Sequence, residues 1–125
     1  MGECISYLRF PIETVSALAH QIFNDKVGES EADNIGCEAT KIIYFVDRNK
    51  RSFFNGRTQM TILSGLFLLL AKKHSTRVTI TNLCNALPDT QQYGCVGLYR
   101  ERSHITQVTI RMSARRWLEA FPQFF

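Results

Sequence analysis

The apolar positions of the chain fall into two spacings, and these predict its elements. After Pro11, Val15, Leu18, Ala19, Ile22 and Phe23 lie at i, i+3, i+4, i+7 and i+8, one stripe of an amphipathic helix over residues 12–24. Pro11 suits the start of that helix, and Glu13 complements its dipole. Residues 58–73 predict a second helix, apolar around most of its circumference through Ile62, Leu63, Leu66, Phe67, Leu69 and Leu70, and closed by Lys72 and Lys73. Such a helix must be packed on nearly every side. Thr81 is the expected N-cap of a short helix carrying Leu83, Cys84 and Leu87, with Pro88 ending it. Asp89 could open an abbreviated helix over 89–93 before Gly94 and Gly97. Ser113 is the expected cap of a last helix that packs Trp117, Leu118 and Phe121 before Pro122 stops it.

Other stretches read as β. Residues 5–10 (ISYLRF) predict a short strand or extended arm, and 42–46 (IIYFV) a buried strand. Val78 and Ile80 mark a short strand ahead of Thr81. Residues 98–102 and 107–112 predict a hairpin around a polar tip at 103–106. In its second strand Val108, Ile110 and Met112 alternate inward with Gln107, Thr109 and Arg111 outward. The acidic stretch 25–38, with Gly28 and Gly36, reads as a surface loop. Residues 47–57 read as a basic loop, with Arg48, Lys50, Arg51 and Arg57 around Phe53 and Phe54. The expected fold class is therefore α+β. A single domain over 1–125 is expected, with a strand/helix extension over 1–57 and a core over 58–125.

Composition narrows the function classes. With 125 residues, 45% hydrophobic and 21% charged, the chain has the balance of one globular domain. Its longest apolar stretch, 60–71, is far shorter than the roughly 20 residues that cross a bilayer. The N-terminus lacks the basic and hydrophobic regions of a secretory signal, so a cytoplasmic protein without a membrane role is expected. Cys4, Cys37, Cys84 and Cys95 are dispersed, without a Cys-x-x-Cys pair, and read as buried free thiols rather than metal ligands. No phosphate loop, His-x-x-x-His or nucleophile elbow is present, so neither an enzyme nor a cofactor is expected.

Charge is strongly asymmetric within the total of +4. Through Thr40 there are two bases against seven acids, and from Lys41 onward thirteen bases against Asp47, Asp89, Glu101 and Glu119. A polyanion partner for the later two-thirds follows from that asymmetry.

The order of elements from residue 58 resembles the winged helix-turn-helix of MarR-like regulators. The resemblance rests on 62–70 as the long first helix and on Arg77, Val78, Thr79, Ile80, Thr81, Asn82, Leu83 and Cys84 as the short strand entering the second helix. It rests further on 97–102 (GLYRER) as the strand entering the wing, and on 107–113 (QVTIRMS) as the strand leaving it. It implies a DNA-binding transcription regulator. Thr90, Gln91, Gln92 and Tyr93 would then face base edges, Arg100, Arg102 and His104 would act as wing contacts, and Lys72, Lys73 and Arg77 would meet a phosphate. A homodimer built from helix 12–24 and the C-terminal aromatics is also implied. One departure stands out: only eight residues, 89–96, separate Pro88 from Gly97. Either the recognition helix is cut short, or the scaffold serves another use. That second use would be a small inhibitor or adaptor of the phage or plasmid type, docking on a host protein.

Overall fold

The computed structural model describes residues 12–87 and 105–125. The chain divides into two compact units, Met1–Asn55 and Gly56–Phe125. Among the described residues every regular element is helical, with no strand, and this overturns the α+β expectation.

In the first unit, α1 (Ile12–Val27) buries Val15, Ala19, Ile22 and Phe23 along the expected stripe. It runs past residue 24 to Val27 and stops at Gly28, whose φ of 90° lies where glycine is favoured. From there α2 (Glu29–Asn49) follows at once, with Glu29 and Glu31 in its first turn. Both the loop expected over 25–38 and the strand expected over 42–46 are therefore helical. The cause is a stripe hidden by small residues: Ala32, Ile35, Gly36, Ala39, Ile42, Ile43 and Val46 are all buried and recur at helical spacing. That stripe outweighs the β preference of the IIYFV run, which is too short to set its own period.

The small residues also let α1 and α2 approach closely. A Cβ at Gly36 would sit 3.3 Å from the Ala19 Cβ and 3.6 Å from the Ser16 Cα. His20 of α1 lies 3.9 Å from Asp33 of α2, so the pair runs antiparallel. A 3-10 turn, Arg51–Phe54, then buries Phe53 and Phe54 edge to face at 6.1 Å. Arg51 donates to Asp47, one turn back, at 3.1 and 3.3 Å.

In the second unit, α3 (Gln59–Lys73) starts where the expected helix does, with Thr58 as its cap. Thr58 accepts the Thr61 backbone N–H, and every residue from Ile62 through Ala71 is buried. Next comes α4 (Ile80–Ala86), capped by Thr79 rather than Thr81. The Thr79 hydroxyl accepts the Asn82 N–H at 3.2 Å, and the Asn82 side chain accepts the Thr79 N–H at 2.9 Å. Reciprocal capping satisfies two helix-end donors, which Thr81 could not do, and it makes Ile80 helical rather than part of a strand.

The largest correction is α5 (Gln107–Ala120), which takes in the expected outgoing wing strand and the expected cap Ser113. Thr106 caps it by accepting the Thr109 N–H at 3.2 Å. Alternation fits residues 107–112, but a helical stripe of Ile110, Ser113, Ala114 and Trp117 fits the whole segment. The burial follows the helix: Ile110 is 0% exposed, while Val108 and Met112, its supposed inward neighbours, are 63% and 62% exposed. Expected elements over 5–10, 89–93 and 98–102 lie outside the described residues.

Where α5 crosses α3, glycine is required. A Cβ on Gly65 would meet the Ser113 hydroxyl and lie 2.5 Å from the Ala114 nitrogen and the Ser113 carbonyl carbon. The indole N–H of Trp117, fully buried, donates to the Ile62 carbonyl at 3.0 Å and locks the crossing. Behind it the buried Phe121 and the half-buried Phe125 lie tilted and edge-on to the indole at 5.9 and 6.3 Å, so both pack within this unit.

Candidate functional site

Between α3, the start of α4 and α5 runs a groove of about 460 Å³. Among the described residues its apolar floor is aliphatic: Leu68 and Leu69 from α3, Val78 and Ile80 from the entry to α4, and Ala114 and Leu118 from α5. Over that floor stand three cations, Lys72 from the last turn of α3 and Arg111 and Arg115 one turn apart on α5. Thr79 also lines it, but its hydroxyl oxygen accepts the α4 capping bond.

Arg111 donates to the Gln107 side chain on its own helix at 3.4 Å. Among the described residues no carboxylate lines the groove. Of the acidic residues of this unit, only Glu119 is among the described residues, against Arg57, Lys72, Lys73, Arg77, Arg111, Arg115 and Arg116. Arg57 is held below the ordinary guanidinium pKa by partial burial and then by the like charge of Arg116; it remains a cation at any physiological pH.

The outer face of α5 continues the same character. Arg111, Arg115 and Arg116 alternate there with Val108, Met112 and the 44% exposed Leu118. An exposed helix face with arginine among large apolar groups is suited to an anionic or amphipathic partner.

Of the residues expected to meet DNA, the structure brings Lys72 to the groove. Lys73 donates to the Phe124 carbonyl at 2.9 Å, which ties the end of α3 to the C-terminal turn. Arg77 is exposed in the segment leading to Val78 and Thr79 of the groove wall. Thr90, Gln91, Gln92, Tyr93, Arg100, Arg102 and His104 lie outside the described residues. Arg111 and Arg115 were missed, because reading 107–112 as a strand hid their i, i+4 relation. The signal was present in the spacing of Ile110, Ala114, Trp117 and Phe121 behind them.

Elsewhere, the expectation of buried thiols fails at Cys37, which is exposed on α2, while Cys84 is half-buried. No group of three or more His, Cys, Asp or Glu among the described residues is placed to hold a metal ion. No helix among them is long and apolar enough to cross a membrane. Comparison with family models, curated proteins and solved structures finds no match to this chain.

Proposed function

We propose that the unit Gly56–Phe125 binds double-stranded DNA through a cationic helix face, not through a wing. The observation that carries this reading is the meeting of Lys72, Arg111 and Arg115 at one groove with no carboxylate among its described lining residues. The whole unit supports it, with nine Lys and Arg against three Asp and Glu, a net +6. Phosphate neutralisation by such a cluster releases counterions, so affinity must fall steeply with salt.

The test is fluorescence anisotropy of mixed-sequence duplex DNA at about 50 and 200 mM salt, where a protein making several phosphate contacts loses orders of magnitude in affinity. Binding that collapses with salt and with the double substitution Arg111→Glu, Arg115→Glu, at unchanged helicity, is the expected result. No binding at the lower salt overturns the reading.

A second reading, docking on an acidic partner protein as an adaptor, is favoured by one separate observation. Val108 and Met112 are 63% and 62% exposed on α5 beside the arginines, and large apolar groups beside Arg are typical of protein interfaces and of little use to a phosphate backbone. Replacing both by Asp should leave DNA affinity within the loss expected of two added charges if DNA is the partner.

A further inference from the structure

The floor of the groove is unused by a phosphate backbone, and its chemistry specifies a smaller ligand. We propose that the groove binds a single-chain amphiphilic carboxylate, with the aliphatic tail on the floor and the head group at Lys72, Arg111 and Arg115. This does not rest on the DNA reading: the aliphatic lining is surface that a phosphate backbone would leave exposed, although the head group would compete with phosphate for the same three cations.

Three features of the site select that class. The volume, about 460 Å³, falls in the roughly 300–1,000 Å³ range of small-molecule sites and suits one chain rather than a two-tailed lipid. The floor of Leu68, Leu69, Val78, Ile80, Ala114 and Leu118 offers methyl and methylene groups and, among the described residues, no aromatic ring, which fits a flexible alkyl tail better than a planar one. Among the described residues the polar lining residue besides the cations is Thr79, whose hydroxyl oxygen accepts the Asn82 N–H. A neutral polar head would therefore meet mostly donors that carry charge. An anionic head gains charge-assisted hydrogen bonds, and the two arginines one turn apart present their forks from the same helix. A second copy of this face is excluded as occupant by the same cations, which would meet their own kind.

The experiment is calorimetric titration of the full chain with octanoate, decanoate and dodecanoate, each below its micellar concentration. Acetate, methyl decanoate and decyltrimethylammonium serve as controls. Saturable one-to-one binding is expected, tightening about three- to fourfold per added methylene until the floor is covered. Acetate, the neutral ester and the cationic amphiphile should each bind at least about tenfold more weakly.

Two variants keep the outcome interpretable. Arg111→Gln with Arg115→Gln should weaken decanoate by about tenfold or more, since two charged hydrogen-bond donors are lost. Leu118→Glu, at an already exposed position, should abolish binding without unfolding the chain. Binding indifferent to head-group charge, or unaffected by Leu118→Glu, overturns the proposal. So does the absence of saturable heat with any chain length. The DNA titration is read separately with its own ligand, so either result can fail while the other stands.

Discussion

At the scale of single residues, the second unit depends on one missing side chain and one indole. Gly65 lets α5 lie against α3, and the atoms that a Cβ would strike include backbone, which cannot rotate away. Gly65→Ala should therefore force the helices apart and cost about 3 kcal/mol, the upper end of ordinary overpacking, read as a lower midpoint in urea. Trp117→Phe keeps most of the packing but removes the buried donor to the Ile62 carbonyl. A loss of about 2–3 kcal/mol is expected from the hydrogen bond and the vacated volume together, measured by the same titration. The sequence marked Trp117 as a core residue by its spacing. It could not mark Gly65, because the need for glycine there arises only from the approach of a helix 48 positions away.

At the scale of elements, caps and stripes decided what short runs could not. Thr58, Thr79 and Thr106 each accept a backbone N–H from the first turn of the helix that follows. Because Thr106 starts α5, and α5 carries Arg111 and Arg115, the cap also positions the groove's cations. Thr106→Ala should destabilise the unit by about 1 kcal/mol and Thr106→Ser by much less, a difference visible as a shift in Tm. The two longer segments misread as strands, 42–46 and 107–112, fail for one reason. Five or six residues satisfy either period when they are rich in β-branched side chains, and only the flanking positions break the tie. In α2 those flanks are Ala32, Gly36 and Ala39, whose small size makes a buried stripe look like a polar loop.

At the scale of the whole molecule, charge is divided between the two units. Met1–Asn55 carries eight acids against six bases, while Gly56–Phe125 carries the net +6. If the cationic unit meets DNA, the slope of log affinity against log salt counts the phosphates neutralised, about 0.9 for each. Lys72→Gln should lower that slope by about 1 and weaken binding uniformly across sequences, without altering helicity. A change in sequence preference instead would assign Lys72 to base reading. The exposed positions of Arg111 and Arg115 make their replacement by Glu a test of charge and not of folding.

By itself the sequence determined the helices over 12–24 and 58–73, the placement of Trp117 and Phe121 in the core, and the basic character of the later residues. Each of these depends on local periodicity or on simple counting. The tertiary structure decided the rest. It made 25–49 largely one helix, because α1 supplies a partner for a stripe of small residues. It made 107–112 helical, because α3 offers a crossing only where Gly65 faces Ser113 and Ala114. It brought Lys72 to Arg111 and Arg115, which lie about forty positions away in the chain. A groove with an aliphatic floor and a cationic rim exists only once three separate helices are packed, and no spacing along one of them encodes it.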